Sequence, residues 1–280
     1  MGRPFIVNGR AQQTTSMKLV NGPNNDAKDW MVHIPPLQLR HQEEGTKIGS
    51  LWLKQGEAEH ASIASFAKNT LQLISIGAPT KLLIASQKAS IDEIHHAKIS
   101  YRLSSEFMKE SFSPGTLSIK GSLESGNIEQ MIKSTIHEGC IEETVSAVEA
   151  HHNARMAKTK DIKDFIFKIA SDETNHAQLA WDSMKWVIDR YPQKQGYVKE
   201  IFELQLNDQL LTATKIHAKS NSSRCLISKE QDEFHGYGVS ETPTRMKIKT
   251  ATIAKIIEPM HISNLQDIEN VSKFIPALNI

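Results

Sequence analysis

The 280-residue chain has only two cysteines, Cys140 and Cys225, and two thiols make no disulfide framework. No apolar run approaches the roughly 18 residues that a membrane span requires. The opening Met1-Gly2-Arg3-Pro4-Phe5-Ile6 lacks the apolar core of a signal peptide, and position 6 holds no Ser or Thr for myristoylation. A cytoplasmic protein without a membrane partner is therefore expected. An excess of one charge sign is missing too: 33 basic and 32 acidic side chains leave a net charge of +1, so no strong field would draw nucleic acid or an anionic membrane. Aromatics make up only 6%. Ala, Leu, Ile, Lys and Glu dominate the middle of the chain instead, a composition that suits helices. The length allows one generous domain or two small ones.

What is present is a repeat. Asp92-Glu93-Ile94-His95-His96-Ala97 and Asp172-Glu173-Thr174-Asn175-His176-Ala177 share the pattern Asp-Glu-x-x-His-Ala. The similarity extends to Lys88 with Lys168 and Tyr101 with Trp181, as expected of two pseudo-symmetric helical hairpins. On a helix, residues i and i+3 share a face, so Glu93 with His96, and Glu173 with His176, can each aim an oxygen and a nitrogen at one point. Duplicated Glu-x-x-His is the ligand pattern of a dinuclear metal site in a four-helix bundle when two further helices each add a glutamate.

Residues 1–45 are rich in Gly, Asn, Pro and Gln without a sustained period and read as an extended N-terminal arm on the bundle. A first helix is expected over about 50–76, where Trp52, Ile63, Phe66 and Thr70 form a stripe that includes Glu59. A second should run from Pro79 to about Phe112, and a third from Asn127, with Gln130 three residues on, to about Lys158. The third carries Glu143 among Ile132, Ile136, Cys140 and Ala147. The fourth should span Asp161 to about Arg190. Residues 113–126 could reach ~45 Å if extended, so a crossover along the bundle is feasible. Residues 46–192 are thus expected to form the bundle, and 193–280 an extension packed on it. In that extension a helix is expected over 198–218, then a polar loop over 219–241, a helix opened by Thr242-Pro243, and a last one capped by Ser263 and Gln266.

Glu59, Glu93, His96, Glu143, Glu173 and His176 together supply hard oxygen and nitrogen donors, suited to two iron ions or to manganese and poor for copper(I) or thiolate-type zinc. Glu59 is preferred to Glu57, and Glu143 to Glu142 and Glu138, because of their apolar neighbours. Asp92 and Asp172 lie four residues before His96 and His176, a spacing at which each carboxylate can accept a hydrogen bond from the imidazole on its own helix. Ile63, Cys140 and Ala147 lie within a turn of these residues and are expected to line a pocket. His60, His95, His137, His151 and His152 have no counterpart in the other half and are expected to sit outside the ligand set. Trp52 and Trp181 should be core residues, and the basic stretch 245–255 a solvated helix face.

With these residues in this order, the chain resembles the ferritin-like diiron-carboxylate superfamily over roughly residues 50–185. The Asp-Glu-x-x-His form looks most like its oxygen-activating branch, which includes bacterial multicomponent monooxygenases and the tRNA hydroxylase. The resemblance implies a mostly α, ferritin-like four-helix bundle with two irons, O2 as co-substrate and an external electron donor such as a reductase or ferredoxin. It implies an oxidoreductase that hydroxylates, N-oxygenates or desaturates a small organic substrate, and a homodimer is compatible with it. Two departures stand out: His95 and Asn175 replace the Arg that often precedes the motif His, and Ala147 replaces the Thr of hydrocarbon monooxygenases, which speaks against methane-type hydroxylation. The alternatives are an iron-handling ferroxidase, a tRNA-hydroxylase-like enzyme, disfavoured by the charge, and a metal-stabilised bundle without catalysis.

Overall fold

The computed structural model describes residues 2–18, 29–30, 42–122, 127–222, 234, 236–262 and 271–278. It is mostly helical. Helix α1 spans Gln42–Ser75, α2 Thr80–Met108, α3 Ile128–Ser134, α4 Thr144–Met156, α5 Lys160–Arg190 and α6 Gln195–Ser222. Between α3 and α4, Thr135–Glu143 winds as a π-helix, so that 128–156 is one interrupted rod. The extension ends in α7 (Thr242–Thr252), a short π turn (Ile253–Ile257) and α8 (Glu258–Ile262).

Several boundaries follow from local chemistry. Asn127 caps α3 by accepting a hydrogen bond from the Gln130 N–H at 2.9 Å. Pro79 precedes the first turn of α2. Helix α1 begins eight residues before the expected Ser50, since Ile48 is itself a core residue at 1% exposure. Helix α2 ends before the expected Phe112, because Lys109 takes the left-handed conformation (φ 56) and so closes the helix. Phe112–Pro114 then forms a strand, β4, antiparallel to β3 (Ser16–Lys18). Farther up the arm, β1 (Phe5–Val7) and β2 (Arg10–Gln12) form a hairpin across Asn8-Gly9, both with positive φ (50 and 72). That two-residue turn is the kind whose twist matches paired strands. The helix expected at Ser263 and most of the polar loop before Thr242 lie outside the described residues.

Two apolar clusters fix the directions of the rods. One joins Leu73 and Leu82 to Ile132 and Val187, which brings together the end of α1, the starts of α2 and α3, and the end of α5. The other joins Ile48 and Phe107 to Ala154 and Ile162, at the opposite ends of the same rods. α1 and α2 are therefore antiparallel, and the 128–156 rod runs parallel to α2, so its start lies at the opposite end of the bundle from the end of α2. Buried aliphatic side chains at both ends exclude water from the middle, and both repeats lie there. Trp52 and Trp181 are buried in these clusters, and Trp181 stacks on Phe202 of α6 at 5.5 Å between centroids.

The basic stretch over 245–255 is not simply a solvated face. Arg245 pairs with Glu149 at 3.1 Å and Lys249 with Glu142 at 2.7 Å, so the basic face of α7 docks on the third rod. No helix among the described residues is long and apolar enough to cross a membrane.

Candidate metal centre

Six side chains converge from four rods between the apolar clusters. Glu59 comes from α1, Glu93 and His96 from α2, Glu143 from the last residue of the π segment, and Glu173 and His176 from α5. All six are at most 1% exposed. They form two overlapping quartets, Glu59–Glu93–His96–Glu173 and Glu93–Glu143–Glu173–His176, and within each one the candidate ligand atoms lie within 4.8 Å of one another. Glu93 and Glu173 belong to both. A buried Glu/His cluster able to hold a metal ion is thus present.

The donor atoms are otherwise unused. Glu59 Oε2, both oxygens of Glu93, Glu143 and Glu173, and the Nδ1 atoms of His96 and His176 are buried without a hydrogen-bond partner. The imidazole Nδ1 atoms do approach carboxylates, 3.2 Å from His176 to Glu93 and 3.4 Å from His96 to Glu173, but without hydrogen-bond geometry. So many orphaned acceptors in a dry core would each cost free energy unless a cation serves them. Oxygen-rich donors plus two imidazoles fit hard or borderline divalent ions.

The aspartates bind across helices, which corrects the expected intrahelical pairing. Asp172 of α5 accepts from His96 Nε2 of α2 at 3.2 Å, while Asp92 of α2 faces His176 Nε2 of α5 at 3.5 Å. The i to i+4 spacing is as read, but each ring turns Nδ1 towards the cluster, so its far nitrogen emerges on the neighbouring helix. Since a carboxylate can only accept, the proton sits on Nε2 and leaves the Nδ1 lone pair free for a metal. Lys168 donates to Asp172 at 3.0 Å and braces one side of this crossed pair.

Competing glutamates have other duties. Glu57 accepts from Ser16 N (3.2 Å) and Ser16 Oγ (2.6 Å) and so holds β3 to α1. Glu142 bonds Lys249 and Gln209, and Glu138 bonds Lys68 and Ser65. The π segment turns both Glu138 and Glu143 inward, because its wider turn admits an extra residue per turn. Gly139 within it permits close approach to α5: a Cβ there would lie 2.6 Å from that of Ala180.

Electrostatics describe a centre short of positive charge. Burial, then repulsion from Glu93 and Glu173, holds Glu59 well above the ordinary carboxylate range. Glu143 is raised in the same way, by burial and then by Glu173 and Glu93. For Glu93, burial is outweighed by its close approach to His176 and His96, and its pKa falls. His176 rises to about 9 because Asp92 and Glu93 together overcome the effect of burial. Burial and mutual repulsion thus favour the protonated forms of Glu59 and Glu143, and the surrounding carboxylates favour protonated imidazoles. Metal ions would take the place of these protons.

Of the expected pocket residues, Cys140 and Ala147 are fully buried and pack in one cluster with Phe66 and Ala177. Burial pushes the Cys140 thiol up, so it stays protonated. Ile63 is half-buried and belongs to neither cluster described above. A cavity of ≈ 240 Å³ lies elsewhere, between the β1–β2 turn and Lys68, Ser134, His137 and Glu138, and none of the three lines it. His60 and His151 are held below their usual pKa by burial and stand outside both quartets. Periodicity gave no hint of Gln55, which donates to Glu59 Oε1, nor of Gly2, packed against the same carboxylate. Gln55 lies one helical turn before Glu59, and that spacing was the available signal. No protein-family model, curated protein or solved structure matched the chain.

Proposed function

We propose that the protein is an oxidoreductase of the ferritin-like diiron-carboxylate kind, which binds two iron ions in this cluster and uses O2 to oxidise a small organic molecule. The observation that carries the reading is the pair of quartets sharing Glu93 and Glu173, because carboxylates common to both groups would join two ions in one centre, and the six residues match the ligand set of dinuclear four-helix bundles. The parallel placement of the 128–156 rod and α2, with the start of the rod at the opposite end of the bundle from the end of α2, supports the ferritin-like part. When bound, the iron pair would supply the electrons and the Lewis acidity for O2 chemistry.

The chain's own residues have separable tasks. Glu59 and His96 would complete one half and Glu143 and His176 the other, with Glu93 and Glu173 common to both. Asp172 and Asp92 hold the imidazoles with Nδ1 inward. Phe66, whose ring meets His176 edge-on at 5.0 Å, together with Cys140, Ala147 and Ala177 excludes water from this side. A dry wall keeps the oxidising equivalents for the organic substrate.

The test is anaerobic loading with Fe(II) followed by exposure to O2, with and without a panel of small organic substrates and a reductase or ferredoxin. Two irons per chain, a single round of oxidation without a donor, and donor-dependent organic product are expected. Repeated Fe(II) turnover with growth of a ferric mineral, and no organic product, would replace this reading with iron handling.

A further inference from the structure

The arm does more than lie on the bundle. Gly2 has φ +76, a conformation that L side chains rarely adopt. A Cβ at that position would sit 2.6 Å from Ser62 Oγ and closer still to Glu59 Oε2. A side chain at position 2 is thus opposed twice, by the backbone conformation and by the Glu59 and Ser62 side chains, which would have to move aside.

The next residue anchors the arm. Arg3 is 1% exposed. Its Nε donates to Ser65 Oγ at 3.0 Å, its Nη2 to Asn69 Oδ1 at 3.3 Å, and its guanidinium lies over the Phe66 ring at 5.0 Å. Its carbonyl accepts from Ser62 Oγ at 2.8 Å. Glu138 lies 3.6 Å from Arg3 Nε and accepts from Ser65 Oγ at 2.7 Å and from Lys68 Nζ at 2.6 Å. Lys68 also donates to the Ile6 carbonyl at 3.0 Å. A buried guanidinium is costly unless it is paired and hydrogen-bonded, and here α1 supplies two acceptors and the π segment the Glu138 carboxylate. The desolvated network therefore fixes where Gly2 rests. Farther along, Thr14 meets His60 at 2.6 Å and Ser16 Oγ donates to Glu57 at 2.6 Å, so the arm follows α1 past Glu59.

We infer that the N-terminal arm is a structural part of the metal centre, with Gly2 seating the Glu59 carboxylate and Arg3 locking the arm in place as a positioning residue. The inference rests on the metal-binding reading above. The arm's backbone at Gly2 lies against the Glu59 carboxylate, whereas the Glu143 carboxylate is presented by the π segment and feels the arm through the charge of Arg3. An ion held by Glu59 depends on the arm. The other depends on it less.

Full-length Gly2→Val, the milder Gly2→Ala, Arg3→Gln and, as control, Lys18→Ala test this by anaerobic Fe(II) titration against a competing chelator, with helical content followed by circular dichroism. Lys18 lies on the same arm, in an exposed pair with Glu110. The wild type and Lys18→Ala should bind two ions with equal affinity. Gly2→Val should keep one tight ion and bind the second about tenfold or more weakly, with helical content unchanged. Gly2→Ala and Arg3→Gln should shift the same ion in the same direction. If the Gly2 and Arg3 variants hold both ions as the wild type does, or lose both equally with the helices intact, the inference is wrong. A wild type that binds no metal would instead overturn the metal-binding reading itself.

Discussion

Helices α2 and α5 run antiparallel and carry the same six-residue pattern, whereas their partners, α1 and the 128–156 rod, are built differently. In α1 the glutamate belongs to an unbroken 34-residue helix, one of its oxygens is taken by Gln55, and the arm packs against the other. In the third rod the glutamate closes a nine-residue π-helix and both oxygens are unpartnered. The repeated helices supply the carboxylates common to both quartets and one histidine to each, and the unlike partners supply one glutamate to each. Pseudo-symmetry here is a property of the ligands and not of their supports. It follows that the two halves should respond alike to changes in α2 and α5 and unlike to changes in their partners.

The largest effects should come from the shared carboxylates. Glu93→Ala or Glu173→Ala should abolish binding of both ions, while Glu59→Ala or Glu143→Ala should remove or weaken one. Metal analysis after anaerobic loading checks this. Loss of a single ion in Glu93→Ala would mean that the quartets are not joined as their geometry suggests.

Next in size are the crossed aspartates. Asp172→Asn and Asp92→Asn should each lower metal affinity by about 10 to 100-fold while the helices persist. A double-mutant cycle sharpens the claim, because Asp172→Asn should be non-additive with His96→Ala and close to additive with His176→Ala. The reverse coupling would restore the intrahelical pairing.

These pairs also mark how far the residues could be read in advance. Glu-x-x-His declares itself because i and i+3 share a helix face whatever surrounds them, and the apolar stripes around Glu59 and Glu143 separate them from nearby acids. Which histidine an aspartate serves depends on how α2 sits against α5, and a spacing within one helix carries no information on that. The π segment was hidden for a related reason: Ile132, Ile136, Cys140, Glu143 and Ala147 step by four, four, three and four residues, which an ordinary α-helix also accommodates. The arm has no period to read, so Arg3 passes for a surface residue until Ser65, Asn69 and Glu138 are seen around it. Asn8-Gly9 is the exception, a local turn signal that marks the β1–β2 hairpin within an otherwise aperiodic stretch.

A smaller effect should follow from the close approach of the π segment to α5. Gly139→Val places atoms against Ala180 and should destabilise the fold by about 1 to 3 kcal/mol, read as a lower denaturant midpoint. Gly196→Val, at a site where a Cβ meets nothing within 4 Å, should not share that packing penalty. Equal losses would mean that the segment has room to spare.

The smallest effect concerns His151, which bonds Thr174 at 3.1 Å and is held below the ordinary histidine range by burial and then by Arg155. A depressed histidine pKa means that the unfolded chain binds more protons, so its contribution to stability declines as pH falls below about 6.5. Metal-free wild type should therefore lose more in Tm between pH 7.5 and 5.5 than His151→Gln. An equal loss would show that this histidine titrates as it would in water.

The central claim, that the two halves form one dinuclear centre, is tested most directly by X-ray absorption on anaerobically iron-loaded protein. Two irons per chain with an iron–iron vector of about 3.5 to 4 Å and mixed oxygen and nitrogen ligation are predicted. One iron per chain, or two without an iron–iron vector, would contradict it.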